Sequence, residues 1–229
     1  MEGKTMKRKD FLTMGSLLIL GMPVFSGIKF KRSVNNITLI GDSIRTGYQK
    51  YITFYLNSQA EIWGPDDSRI NSFDILKEVD SWFKNRNASI IHINTGLEDL
   101  KCIPFSGREN LVPLDLYTRN IERITKYIHR VRPGAVLIWA TTTPVIQKDM
   151  NTDVGESGEF SFFPEDVIRY NDALITTCQK LGVPVNDLYQ FVMSGEPSRI
   201  ILEDGMHFTE MGYELLGEQV ANAIQLFLD

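Results

Sequence analysis

One of the three histidines in the chain stands in a setting that suits acid–base chemistry. His207 belongs to the run Asp204-Gly205-Met206-His207, just before the last predicted helix. An aspartate three residues before a histidine, across a glycine turn, can place its carboxylate on one ring nitrogen and leave the other nitrogen free to face a nucleophile. The spacing therefore predicts that Asp204 orients His207 as a general base.

The other two histidines lie in settings typical of structural residues. His92 falls within a predicted strand, where a core or supporting position is expected. His129 falls on the solvated face of a predicted helix, beside Arg130. Neither histidine is expected to be the base.

Ser43 is the candidate nucleophile. The run Gly41-Asp42-Ser43 directly follows residues 37–40, whose apolar, β-branched side chains predict a buried strand. At such a strand-to-helix turn, the free N–H groups and positive dipole end of the next helix favour negative charge on a substrate oxygen. A serine hydroxyl is a weak nucleophile at neutral pH and needs a base. We therefore predict that Ser43, His207 and Asp204 form a triad of nucleophile, base and orienting acid.

Strand-like and helix-like segments alternate along the chain. Apolar runs predict five strands, over residues 37–40, 60–63, 89–93, 135–140 and 183–185. Helical spacing of apolar residues predicts helices over residues 48–56, 73–83 (with Ser72 as a cap), 117–131, 167–178 and 216–228, and residues 141–163 remain as a long loop. This alternation predicts an α/β protein with a parallel sheet covered on both faces.

Ligands of such sheets gather at the carboxyl ends of the strands. The loops that follow the first three strands are therefore expected to hold the active residues. These loops are residues 41–47, 64–72 and 94–101.

The composition is that of an ordinary globular domain. The chain has 229 residues, of which 43% are hydrophobic and 23% charged, and its formal net charge is -5. No basic stripe lies beyond the first 32 residues, so nucleic acid is not an expected partner. Cys102 and Cys178 belong to no CxxC or Cys/His cluster, so no metal or other cofactor is predicted. Two half-buried thiols are expected, and a disulfide between them is left open.

The first 30 residues have the pattern of an export signal. Basic residues at positions 4–9 precede the apolar, uncharged segment 11–25, which is shorter than the ~20 residues of a membrane span. The run Arg8-Lys9-Asp10-Phe11-Leu12 resembles a twin-arginine motif with one arginine replaced by lysine. We therefore expect a signal segment over residues 1–30, a single domain over residues 31–229, and a periplasmic or extracellular location without a stable span after signal removal. An uncleaved anchor helix is the alternative.

Several blocks of the chain resemble the SGNH, or GDSL-like, hydrolase family. The run ITLIGDS, residues 37–43, is similar to the family's first block, and DGMHFTEMGYELLGEQVA, residues 204–221, is similar to its last. Residues 138–145 and 183–189 resemble its fourth and fifth strands. The resemblance covers residues 36–226.

This resemblance implies a fold and an activity. The fold is a three-layer α/β/α sandwich built on a flavodoxin-like doubly wound sheet of about five parallel strands. The activity is serine-dependent cleavage of ester bonds, with Ser43, Asp204 and His207 as catalytic residues. The family uses no cofactor for this reaction.

The family's second and third blocks supply donors to the oxyanion hole. Gly64 is the best match for the second-block glycine, whose backbone N–H donates, but a plain strand-ending turn with Pro65 is an equal alternative. The third block is normally Gly-x-Asn-Asp, whose asparagine side chain donates. Here the run is Gly96-Leu97-Glu98-Asp99, and a bacterial subgroup that the chain resembles also lacks this asparagine.

Glu98 changes the chemistry expected at this position. An ionised carboxylate has no hydrogen to donate and repels an oxyanion. Glu98 is either protonated by burial, or turned away while Asn94 or Asn71 donates, or the chain works slowly or binds without hydrolysis. We expect the second case.

These observations leave three functions open. A secreted esterase is expected, and the resemblance implies acyl groups such as acetate on a carbohydrate, with a small-molecule or glycan ester as substrate. A lysophospholipase or thioesterase would need an apolar groove, which Phe160, Phe162 and Phe163 could line unless they pin their loop to the core. A non-catalytic glycan-binding module is favoured by Glu98 alone.

Overall fold

Five parallel strands form a single sheet in the order β2-β1-β3-β4-β5. The computed structural model describes residues 35–57, 59–84, 86–102, 108–146 and 161–228, so the predicted export segment lies outside the described residues. The strands are β1 (Asn35–Gly41), β2 (Ala60–Trp63), β3 (Ile90–Asn94), β4 (Val136–Ala140) and β5 (Val185–Asn186). All five lie at or next to the segments predicted from sequence.

Helices cover both faces of this sheet. Within the described ranges they are α1 (Ser43–Tyr55), α2 (Ser72–Lys84), α3 (Leu114–Val131), α4 (Pro164–Leu181), α5 (Leu188–Met193), α6 (Pro197–Ile200) and α7 (Glu210–Gln225). Helix α1 packs against α7, while α3 packs against both α2 and α4. The connection from β1 to β2 runs toward one edge of the sheet, and the later connections run toward the other edge. Because such crossover connections are right-handed, the group of α1 and α7 and the group of α2, α3 and α4 lie on opposite faces. The predicted three-layer α/β/α sandwich is confirmed.

The apolar patterns that predicted these elements coincide with the core. In β3 every residue is buried, as expected for a strand covered on both faces. The predicted apolar stripe of α3 is fully buried at four positions and partly buried at Val131; the four are Tyr117, Ile121, Ile124 and Ile128. The helix ends at Val131, before the Pro-Gly pair that the sequence marks as a breaker.

All five predicted helices begin earlier than the apolar pattern indicated, and in three of them a side chain outside that pattern caps the start. Helix α1 begins at Ser43, five residues early, where the Asp42 carboxylate accepts from the Ile44 N–H. Helix α7 begins at Glu210, where the Thr209 hydroxyl accepts from a backbone N–H. The cap of α2 is Asn71 and not the predicted Ser72.

The segment between β5 and α7 also differs. Short helices α5 and α6 were not predicted, since neither is long enough to show helical periodicity. Strand β5 is two residues long, whereas residues 183–185 were predicted. No helix in the described ranges is long and apolar enough to cross a membrane.

The loop after β2 reaches over the carboxyl end of β1. Strand β1 lies between β2 and β3 in the sheet, yet the loop of residues 64–71 contacts the segment that follows β3. The Thr95 hydroxyl donates to the Ile70 carbonyl at 3.1 Å, and the Ser72 N–H donates to the Asp99 carboxylate at 3.1 Å. The loops after β1, β2 and β3 therefore meet where Ser43 begins helix α1.

Candidate active site

Ser43 is the first residue of α1, directly beyond the carboxyl end of β1. The helix starts here because Asp42 adopts an extended conformation and its side chain caps the first turn. The positive end of the helix dipole and its first N–H groups lie at this serine. The position suits a nucleophile whose substrate gains negative charge.

The side chains of Ser43, His207 and Asp204 form a continuous chain of hydrogen bonds. Ser43 Oγ lies 3.0 Å from His207 Nε2, although 164 residues separate them. His207 Nδ1 lies 2.6 Å from Asp204 Oδ2. A carboxylate only accepts, so Nδ1 carries the hydrogen and Nε2 is left to accept from the serine hydroxyl. This arrangement can transfer the serine proton to the imidazole.

The Asp204 carboxylate is held by its own turn. Its Oδ1 accepts from the backbone N–H groups of Met206 and His207, at 3.0 and 2.9 Å. Partial burial acts to raise the pKa of Asp204, but these two bonds and the imidazole outweigh it and hold that pKa below its ordinary value. Asp204 is therefore suited to remain ionised and to stabilise a positive imidazolium.

The segment that follows β4 contacts the turn of residues 204–207 through Ile146. The Ile146 N–H donates to the Gly205 carbonyl at 2.8 Å. Gly205 has a φ of 76°, and a Cβ there would lie 2.2 Å from the Ile146 carbonyl oxygen. Only glycine fits this close approach, so Gly205 and Ile146 set the position of His207 relative to the sheet.

The remaining histidines occupy structural positions, as predicted. His92 is fully buried, its Nε2 lies 3.3 Å from Asn186 Nδ2, and burial lowers its pKa to about 3. It is neutral and far from solvent. His129 is exposed on α3.

The geometry favours the structural alternative for Gly64. Its neighbour Trp63 pairs with Thr38, which places Gly64 beside Leu39, four residues before Ser43. A Cβ on Gly64 would lie 2.6 Å from the Leu39 carbonyl oxygen. Close packing at the end of β2 accounts for this glycine without a role in an oxyanion hole.

The two predicted asparagine donors lie in different surroundings. Asn94 is buried, its Nδ2 donates to the Thr141 carbonyl at 3.3 Å and its Oδ1 accepts from the Tyr48 hydroxyl at 3.4 Å. The Asn94 amide therefore forms its hydrogen bonds within the core, contrary to the expectation that it faces substrate. Asn71 lies in the loop that crosses β1. Its Oδ1 caps α2 through the Phe73 and Asp74 N–H groups, so its amide nitrogen points away from the helix.

Glu98 is paired with a lysine of its own loop. Its Oε2 lies 2.5 Å from Lys101 Nζ, and the two side chains are only 12% and 18% exposed. The preceding Gly96 has a φ of 142°, and a Cβ there would lie 2.0 Å from Thr142 Oγ1, so the loop follows one path. The Glu98 side chain is therefore directed to Lys101 within its own loop. This agrees with the expectation that Glu98 turns to the loop instead of acting as a donor.

Two buried acids flank the same loops. Burial, together with a smaller contribution from the negative charge of Glu98, raises the pKa of Asp42 to about 7 against the opposing hydrogen bond from the Ile44 N–H. Burial also raises the pKa of Asp99 to about 7, against hydrogen bonds from Ser72. Among the described residues, no group of histidine, cysteine and acidic side chains is arranged to hold a metal ion.

Comparison with known proteins identifies the family. The sequence model of the GDSL-like lipase/acylhydrolase family matches residues 7–220. The chain belongs to this family. Among curated proteins, the GDSL esterase/lipase CPRD49 of Arabidopsis thaliana is 23% identical over 160 residues, which is 68% of this chain and 62% of that protein. The aligned part therefore spans about three fifths of the length of that relative.

Solved structures confirm the GDSL-like fold. The lipase/acylhydrolase from Enterococcus faecalis is similar with a TM-score of 0.68 and 20% identity, over 86% of this chain and 98% of that one. Axe2, an acetylxylan esterase from Geobacillus stearothermophilus, has a TM-score of 0.64 and 15% identity, over 85% and 96% of the two chains.

Two charged residues near the site of this GDSL-like protein were not identified from the sequence. Lys101 lies three residues after Glu98, a spacing that permits the observed pair. Arg45 follows Ser43 by two residues and is buried. In the sequence, Arg45 lies on a helix face that is otherwise apolar. This pattern could have indicated a buried arginine with hydrogen-bond partners.

Proposed function

We propose that this GDSL-like protein is a serine esterase whose nucleophile, base and orienting acid are Ser43, His207 and Asp204. The observation that carries the proposal is the pair of hydrogen bonds, 3.0 Å from Ser43 Oγ to His207 Nε2 and 2.6 Å from His207 Nδ1 to Asp204 Oδ2. Membership in an esterase/lipase family supports ester bonds as the target. The helix start at Ser43 supports a reaction that generates an oxyanion.

The proposed reaction has two stages. Ser43 Oγ attacks the ester carbonyl carbon while its proton moves to His207 Nε2, and the carbonyl oxygen becomes an oxyanion. The C–O bond to the alcohol then breaks, and His207 gives its proton to the leaving oxygen. Water attacks the acyl-enzyme with the same base, which releases the carboxylic acid and restores Ser43.

Two donors are proposed for the oxyanion. The Ser43 backbone N–H lies at the first position of α1, where helical N–H groups have no partner within the helix. The Asn71 amide is the second, because its oxygen is fixed by the cap of α2 and its loop crosses the carboxyl end of β1. Glu98 supplies no donor in this scheme, since its carboxylate is bound to Lys101.

A short acyl group such as acetate, carried by a carbohydrate, is the proposed substrate. Support comes from an acetylxylan esterase that shares the fold. The case for a long acyl chain is weakened, because Phe162 packs on the core and the Arg108 guanidinium lies 3.9 Å from the Phe163 ring centre. Phe160 lies outside the described residues.

Covalent labelling tests the proposal. A fluorophosphonate probe is expected to label the wild-type protein and Ser81→Ala, a control at an exposed serine of α2, but not Ser43→Ala. In parallel, p-nitrophenyl acetate, longer acyl esters and acetylated xylan are assayed, and acetyl esters are expected to be cleaved fastest. A folded wild-type protein that is neither labelled nor active would instead support the glycan-binding module.

Export remains a proposal supported by the sequence of residues 1–30. The expected result is that the mature protein, recovered from the periplasm or medium of a bacterial host, lacks these residues by N-terminal sequencing. A protein retained in the cytoplasm with an intact N-terminus would contradict it.

A further inference from the structure

Helix α1 carries a buried arginine one half-turn after Ser43. Arg45 is only 2% exposed. Its guanidinium donates four hydrogen bonds, from Nη2 to the carbonyls of Gly41 (3.3 Å), Pro65 (2.6 Å) and Asp67 (3.0 Å) and from Nη1 to Gln49 Oε1 (2.7 Å). Arg45 thus binds the end of β1 and the loop after β2 at once.

Stability alone does not account for a guanidinium at this place. Removal of a charge from water costs several kcal/mol, by order of magnitude, unless it is well paired. Within the described part of the chain, Arg45 donates to carbonyl and amide oxygens but to no carboxylate, and its buried Nε has no partner. An apolar side chain would avoid this cost but would leave the carbonyls of Gly41, Pro65 and Asp67 without this donor. What the guanidinium adds is directional bonding to several carbonyls together.

Two of those carbonyls, of Pro65 and Asp67, belong to the loop of residues 64–71, which crosses the carboxyl end of β1. Thr95 and Asp99 hold the far end of this loop on the β3 side. Arg45 holds its near end on the β2 side and connects it to the helix that begins with Ser43. Among these contacts, Arg45 is the one that connects the loop directly to the helix that carries Ser43.

We propose that Arg45 is a positioning residue that fixes the loop of residues 64–71, and with it the Asn71 amide, at the distance from Ser43 that oxyanion stabilisation requires. The inference rests on the proposed esterase function. A misplacement of about 1 Å in such a group can cost about 100-fold in rate. Because the oxyanion exists only beyond the ground state, the loss belongs to kcat and not to KM.

The test compares Arg45→Lys and Arg45→Met with Arg69→Met, a control in the same loop whose side chain is exposed. The assay is p-nitrophenyl acetate hydrolysis, with active sites counted by fluorophosphonate titration. Both Arg45 variants are expected to lose about 10- to 100-fold in kcat per titrated site, with KM within about 3-fold. Methylguanidinium is expected to restore part of kcat to Arg45→Ala, while Arg69→Met keeps the wild-type value.

The outcomes separate the two proposals. A wild-type protein that neither reacts nor hydrolyses overturns the esterase function itself. A second outcome is an active wild type together with Arg45 variants that have fewer titrated sites but an unchanged kcat per site. This result overturns the positioning role, because it means that the substitutions lower only the amount of folded protein. If Arg45→Met does not fold, Arg45→Lys decides, because the lysine side chain is one bond shorter and its single nitrogen cannot occupy both the Nη1 and the Nη2 positions of the guanidinium. A folded Arg45→Lys with wild-type kcat would overturn the inference.

Discussion

At the scale of single residues, the hydrogen-bonded chain of Ser43, His207 and Asp204 makes a quantitative prediction. Ser43→Ala and His207→Ala are each expected to lower kcat by about 10⁴-fold or more, and the double variant to be little worse, because the two groups act in one proton transfer. Asp204→Asn is expected to lose about one to two orders of magnitude less, since it disturbs only the tautomer and orientation of the imidazole. Steady-state ester hydrolysis measures all four.

The result that would contradict this prediction is that the losses in rate of the single variants combine in the double variant. Losses that multiply in the double variant would mean that His207 is not the base for Ser43. Near-normal activity in Ser43→Ala would remove the nucleophile assignment altogether.

Glu98 is the second prediction at this scale. Glu98→Asn is expected to leave kcat unchanged or to lower it, because the carboxylate is engaged with Lys101 and its loss leaves a mostly buried ammonium without that partner. The free energy of unfolding is expected to fall by about 1–3 kcal/mol. Urea denaturation and initial rates measure the two effects.

An exposed pair provides the matched control for Glu98. Glu122→Gln breaks the pair of Glu122 with Lys126 on α3, which is solvent-exposed and is expected to contribute at most about 0.5 kcal/mol. A clear gain of activity in Glu98→Asn would show instead that an ionised Glu98 faces the oxyanion.

At the scale of elements, the contact between Ile146, which follows β4, and Gly205 in the Asp204–His207 turn is expected to position His207. Gly205→Ala brings a Cβ against the Ile146 backbone and requires a positive φ of an L residue. The expected cost is about 1–2 kcal/mol for the backbone conformation and about 1–3 kcal/mol for the overlap. Because the turn must shift, kcat is expected to fall as well.

Gly182→Ala is the control for that prediction. Gly182 ends α4 with a φ of 67°, but a Cβ there would have nothing within 4 Å. This variant is expected to lose only the backbone term, about 1–2 kcal/mol, with unchanged kcat. Equal effects of the two substitutions on kcat would contradict a role for the contact between Gly205 and Ile146 in placing His207.

At the scale of the whole molecule, two buried acids make stability depend on pH. The pKa values of Asp42 and Asp99 are raised by burial to about 7, so between about pH 4 and pH 7 the folded state holds protons that the unfolded chain has lost. The free energy of unfolding is therefore expected to fall as pH rises through this window, by up to about 1.4 kcal/mol per pH unit for each acid. Asp204, whose pKa is lowered, has the opposite effect and loses its contribution in acid.

Urea unfolding followed by tryptophan fluorescence, at several values between about pH 5 and pH 8, measures this dependence. Asp42→Asn and Asp99→Asn are expected to flatten the curve, and Asn at position 42 can still cap α1. Wild-type stability that rises over the same range would contradict the buried, protonated state of the two acids.

The architecture, and the three residues that the structure brings together as Ser43, His207 and Asp204, could be predicted because their signals are local. Apolar runs and helical stripes reflect burial that each element needs by itself, so the order of strands and helices was readable. Asp204 and His207 are three residues apart and interact within one turn. The rule that ligands gather at the carboxyl edge of a parallel sheet placed Ser43 in the site, and its need for a base pointed to His207.

The surroundings of that trio were decided only by tertiary structure. The direction of a polar side chain depends on which distant element supplies its partner, and local sequence does not contain that information. Asn94 turns into the core because Tyr48 and Thr141 lie there, and Arg45 is bonded because the loop after β2 crosses β1. The three residues proposed as nucleophile, base and acid could therefore be named from the sequence, while the groups proposed to position them and to stabilise the oxyanion required the folded molecule.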